Sequence, residues 1–110
     1  MDYTPSTAVQ AAARRALQWI ADGKAGSGFT PVGRRRAADL AAGKAVSLDI
    51  VKRMAAYFAR HEVDKQATGF NAGEAGYPTP GRVAWDAWGG DAGKTWAETI
   101  LKYEENNGSV

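Results

Sequence analysis

Three groups of residues have the types and spacing from which chemistry could be built. Gly89 to Thr95, GGDAGKT, ends on the Gly-Lys-Thr of a phosphate-binding loop. In that motif the first glycine stands five residues before the Gly of Gly-Lys-Thr, and a strand leads into it. Trp88 occupies that position here and the residues before it carry a helical pattern, so nucleotide hydrolysis is not expected. His61-Glu62 begins like a zinc-binding helix, but Lys65 stands where a second histidine belongs. With one histidine and no cysteine, a catalytic zinc site lacks ligands. His61 reads instead as a partner for a helix C-terminus or as a hydrogen-bonding core residue. The acid pairs Glu62/Asp64 and Asp86/Asp91 have the chemistry for proton transfer. Nothing in the sequence sets either pair in a pocket, so solvated or capping roles are expected. The chain reads as a non-enzyme with no cofactor, no metal and no evident small-molecule substrate.

Binding chemistry is better represented. The net charge is only +2, yet residues 14–60 hold ten Lys/Arg and three acids, whereas residues 61–110 hold four basic and eight acidic residues. One half of the chain is therefore a candidate surface for an anionic partner. Its candidate contacts are Arg34, Arg35, Arg36, Lys52, Arg53 and Arg60. Three arginines in the first turn of a helix oppose the helix dipole. A purely structural helix would more comfortably carry acids there, so the arginines hint at something anionic meeting them.

Hydrophobic spacing supplies the elements that must hold these residues. Ser6 or Thr7 opens a first helix with Val9, Ala12, Ala13, Ala16, Leu17 and Ile20 inward, flanked by Trp19 and ended by Gly23. Lys24 to Phe29 is a glycine-rich loop. Thr30-Pro31 starts a second helix, a cap followed by proline at the first helical position, with Ala37, Leu40 and Ala41 inward. Gly43 closes it. Ser47 caps a third helix with Val51, Met54, Ala55 and Phe58 on the core side, and with Lys52, Arg53, Ala56 and Arg60 opposite.

Residues 62–78 have no sustained period and are expected to form a long loop pinned by Phe70 and Tyr77. Thr79-Pro80 then repeats the cap-and-proline start. Val83, Ala84, Ala87 and Trp88 form one face of this fourth helix, with Trp85 on its flank. Gly89-Gly90 break it, Asp91 can cap the fifth helix, and Trp96, Ile100 and Tyr103 share a face there. The expectation is an all-α single domain of about five short helices over residues 1–110, with ends 1–5 and 104–110 frayed. A tryptophan-rich hairpin would centre a core that includes Trp85, Trp88, Trp96, Phe58, Leu40 and Ile20.

Two further limits follow from composition. The lack of cysteine rules out a disulfide framework and suits a reducing compartment. No apolar run approaches the roughly 18 residues of a membrane span, and MDYTPSTAVQ lacks the layout of a secretion signal. A helix-turn-helix is weakly suggested by residues 31–61. However, the Gly43–Val46 connection is longer than the usual turn, and the third helix has no outer face of Asn, Gln and Ser.

The segments TPVGRRRAADL, VKRMAAYFARHEVDK and PTPGRVAWDAWGGDAGKTWA resemble a small module of tailed phages and prophages. That module is found alone or beside head-region proteins such as prohead-protease-like ones, and the likeness spans most of residues 9–101. It implies a phage source and a virion structural or assembly role, located in the virion or the host cytoplasm. Its partners would be head proteins or further copies of the chain. It transfers no catalytic residue. Two other expectations stand beside it: a DNA-binding, helix-turn-helix-like regulator using residues 31–61, and a phage inhibitor that binds a host protein.

Overall fold

The computed structural model describes residues 2–108. In chain order it comprises β1 (Asp2–Tyr3), α1 (Thr7–Ala21), α2 (Pro31–Ala41), β2 (Val46–Ser47), α3 (Leu48–His61), a 3-10 helix (Glu62–Gln66), α4 (Pro80–Ala87) and α5 (Gly90–Asn106). The protein is all-α, apart from one antiparallel pairing of β1 with β2 that sets Asp2 against Ser47 and Tyr3 against Val46.

The caps encoded in the sequence set the helix starts. Ser6, Thr30, Ser47 and Thr79 each have extended backbone, and each hydroxyl accepts the N–H three residues on. α1 and α2 end alike. Gly23 and Gly43 adopt positive φ, and the next residue's N–H reaches back to Trp19 and Asp39 respectively, closing the last carbonyls.

α1 is the central helix. Its small buried face, Val9, Ala12, Ala13 and Ala16, lets α2, α4 and α5 approach it, while α3 packs mainly on α5. The aromatic centre is Trp85, 1 % exposed. The rings of Phe58 and Phe70 meet it edge-on at 4.8 and 5.9 Å between centroids, the geometry favoured by aromatic quadrupoles.

Several expectations change. In α4 the inward residues are Val83, Trp85, Asp86 and Ala87; Trp85 lies at the core and Trp88 on the flank, the reverse of the expected order. Trp85 can be buried because its indole N–H donates to Asp91 at 3.0 Å. Asp91 is therefore not the cap of α5. It lies in the first turn, and Gly89, with φ 114°, occupies the cap position. The buried face of α5 is Gly90, Gly93, Ala97 and Glu104. Tyr103 is 59 % exposed, while Trp96 and Ile20 are half-buried and Phe58 and Leu40 fully buried.

The ends are tied together at Tyr3 and Glu104 rather than frayed there, and α5 runs on to Asn106. β1 is paired, and the Tyr3 hydroxyl donates to the carboxylate of Glu104, which is itself 6 % exposed. Residues 1, 109 and 110 of the expected frayed ends lie outside the described residues. The segment 62–78 is not a loop throughout, because it opens with the 3-10 helix. Its remainder is folded on itself: Glu74 accepts the N–H groups of Gly69 and Asn71, both at 3.0 Å. Phe70 is buried, and Tyr77 meets Trp19 edge-on at 5.5 Å.

Candidate functional site

The groups that suggested catalysis are engaged in holding the fold. Gly89-Gly90 join two helices, and Lys94 pairs with Glu98 at 3.0 Å. His61 Nδ1 lies 2.9 Å from Asp64 Oδ2, and its ring stacks on Tyr57 at 4.5 Å. Among the described residues no group of three or more His, Cys, Asp and Glu could hold a metal ion. None of their helices is long and apolar enough to cross a membrane.

Asp86, 1 % exposed, lies 2.8 Å from Arg15 Nε on α1 and 3.3 Å from Arg82 Nε on its own helix. Arg82 also donates to the Phe70 carbonyl at 2.8 Å, and its guanidinium lies over the rings of Trp19, Phe70 and Tyr77. This network fastens the 67–78 segment to α1 and α4. Only the four-residue step from Arg82 to Asp86 could have signalled it in the sequence; Arg15 is 71 residues away.

Asp91 binds Lys65 at 3.0 Å as well as Trp85. Burial pushes its carboxyl up, but Lys65 and the indole N–H outweigh that and hold it below its ordinary value. Lys65, whose ammonium lies 5.0 Å from the Trp85 ring, is correspondingly raised, chiefly by the bond to Asp91.

The six candidate cations do not form one cluster. They diverge because residues on a helix step by about 100°. On α2, Arg34 turns towards the loop after α1, where it lines a cavity of about 270 Å³ with Ile20, Phe29 and Pro31. Arg35 is exposed. Arg36 folds over Trp88, with its guanidinium 5.2 Å from the ring centroid. On α3, Lys52 is exposed and Arg53 pairs with Asp49 at 3.0 Å. Arg53 and Arg60 share a row and flank Tyr57, which is four residues after one and three before the other.

Tyr57 connects these pieces. Its ring stacks on Trp88 at 4.8 Å and 10°, so Arg36 of α2, Trp88 at the end of α4, and Tyr57 and His61 of α3 form one ladder across three helices. The Tyr57 hydroxyl is buried, with no hydrogen-bond partner among the described residues. Burial first, then the charges of Asp64 and Asp86, push its pKa up, and Arg60 opposes them. Tyr57 therefore stays a neutral phenol and acts as a stacking surface. The result is a seam in which Arg36 lies on the Trp88 ring and Arg53 and Arg60 stand on the α3 row beside Tyr57. Sequence reading found the cations but not the ladder, since nothing local links residue 36 to residue 88.

Comparison of the chain with protein-family models, with curated proteins and with solved structures gave no match.

Proposed function

We propose that the chain is a non-enzymatic helical module of a tailed-phage head, serving the structure or assembly of the particle by binding. The observation that carries this reading is how its charges are used. Seven of the eight acids after residue 60 are held by intramolecular partners: Glu62, Asp64, Glu74, Asp86, Asp91, Glu98 and Glu104. On α2 and α3, by contrast, Arg34, Arg35, Lys52 and Arg60 have no salt-bridge partner among the described residues. Groups bound in structural pairs are poorly placed for proton transfer, while exposed unpaired cations favour docking on an anionic surface. The phage setting itself rests on the resemblance of residues 9–101.

Mass spectrometry of gradient-purified particles, made in cells that carry a tagged copy, tests the proposal. The chain is expected in the particle fraction at a fixed ratio to the major head protein. A chain that stays wholly in the soluble host fraction refutes the head assignment, and its recovery there on one host protein would favour an inhibitor. A regulator reading DNA through a helix-turn-helix needs two helices that pack as one rigid unit. α2 packs mainly on α1 and α3 mainly on α5, which gives that reading little support.

A further inference from the structure

The cations of the seam are arranged for more than a diffuse positive field. Arg53 and Arg60 stand two turns apart on α3, about 10 Å along the axis. Arg36 comes from α2 and lies over Trp88, whose ring stacks on Tyr57 of α3. Guanidinium groups present paired N–H donors that match phosphate oxygens, and they keep their charge at any working pH. The Arg53–Asp49 pair does not block this use. Its side chains are 62 % and 71 % exposed, and exposed pairs of that kind contribute little.

The surroundings separate a phosphate strand from an acidic protein face. A protein interface is usually anchored by large side chains that become buried at its centre. Apart from charged residues, Pro31 and Val32, the exposed residues of α2 and α3 are small: Ala38, Ala56 and Ala59. Val32 is the only large apolar side chain well exposed on either helix. Trp88 is half-buried, contacted by Arg36 and stacked on Tyr57. α3 carries no Asn, Gln or Ser to read base edges, which leaves contacts that position a strand without reading it.

We propose that Arg36, Arg53 and Arg60, on and beside the Trp88–Tyr57 stack, form a sequence-independent site for the phosphodiester backbone of a nucleic acid. The inference rests on the binding-module reading above and names its partner.

Fluorescence anisotropy tests it, with a labelled single strand and the matching duplex, each about thirty units long, between about 50 and 200 mM salt. Three phosphates engaged predict slopes of log affinity on log salt near −2 for the strand and near −2.7 for the duplex, a weakening of about 20- to 40-fold over that range. The triple variant Arg36→Ala/Arg53→Ala/Arg60→Ala is expected to bind more than about tenfold more weakly and with a flattened slope. Lys24→Ala/Lys44→Ala/Lys102→Ala removes the same charge elsewhere and is expected to stay within about threefold. Circular dichroism verifies that both variants fold, and the three-fold Arg→Lys variant recovers part of the affinity.

Equal loss in the two alanine variants would overturn the site. So would absence of binding at low salt, or equally tight binding of labelled polyglutamate, which would assign the seam to an acidic protein. Particle association, measured separately, distinguishes the two readings. A chain found in particles that ignores both oligonucleotides removes this inference alone. A chain that binds them but never enters particles removes the head assignment alone.

Discussion

Replacing Asp86 with alanine should destabilise this protein more than any substitution of a surface acid. The carboxylate is 1 % exposed and accepts from Arg15 at 2.8 Å and from Arg82 at 3.3 Å. Removing one partner of a buried ion pair costs about 3–5 kcal/mol, mainly because the other charge is stranded. Here the stranding is incomplete. Arg15 is 45 % exposed and can return to water, whereas Arg82 is 20 % exposed and keeps its bond to the Phe70 carbonyl. The low end applies, about 3 kcal/mol, or a fall of about 12 °C at roughly 4 °C per kcal/mol for a domain of this size. Arg15→Ala should cost about 1 kcal/mol, since it leaves Arg82 in place. Arg82→Ala should approach the Asp86 value, because it also releases Phe70. Urea and thermal unfolding, followed by circular dichroism and tryptophan fluorescence, measure all three. A loss below about 1 kcal/mol for Asp86→Ala would refute the claim that this network fastens the 67–78 segment to α1 and α4.

Other outcomes follow from the same geometry. A Cβ on Gly93 would lie 2.8 Å from the Trp88 carbonyl oxygen and 3.2 Å from the Phe58 ring, so Gly93→Ala should cost about 1–3 kcal/mol in denaturant unfolding. Gly28→Ala meets nothing within 4 Å and should be neutral or stabilising by up to about 1 kcal/mol, through the unfolded chain. The Asp91 and Glu74 carboxyls are both held below their ordinary values, Glu74 chiefly by the backbone N–H of Asn71 and then that of Gly69. Their contribution is therefore intact above the ordinary carboxylate range, about pH 4, and is lost as pH falls through the lower folded values. Asp91→Asn/Glu74→Gln should flatten the acid limb of stability against pH, and an unchanged limb would count against both assignments. The Tyr3 phenol is pushed up to about 12, first by its hydrogen bond to Glu104 and then by burial. Its contribution is whole below the ordinary phenol value of about 10 and is lost as pH rises towards the folded one. Tyr3→Phe should remove that alkaline step in circular dichroism between pH 9 and 12, about the range of the two values.

How much of this was legible in the sequence depended on how far apart the partners lie. Four of the five α-helix starts were readable because a cap and its N–H are three residues apart: Ser6, Thr30, Ser47 and Thr79 act as their types suggest, whereas Asp91 does not cap α5. The α1 and α2 stops at Gly23 and Gly43 were readable for the same reason. Tertiary partners were not. Tyr3 and Glu104 are 101 residues apart, so the ends looked free when they hold each other. Asp86 looked like a solvated acid because one of its two arginines comes from α1.

The faces of α4 and α5 were misread for a different physical reason. Apolar periodicity weights large side chains, so it chose Trp96, Ile100 and Tyr103 as the inner row of α5. The helix instead turns Gly93 and Ala97 inward, where the absence of bulk lets its backbone reach Phe58 and the Trp88 carbonyl. Trp88 ends α4 at this close approach, with its carbonyl beside Gly93 and its ring stacked on Tyr57 and contacted by Arg36. The same small residues that hid the packing from sequence therefore also touch the backbone of Trp88, whose ring carries Arg36 and stacks on Tyr57. Bulk added at Gly93 should disturb both the packing and the stack. Gly93→Ala, if it still folds, should weaken oligonucleotide binding although the residue carries no charge and lies buried. A folded Gly93→Ala chain that binds as tightly as the parent would separate the seam from the packing beneath it.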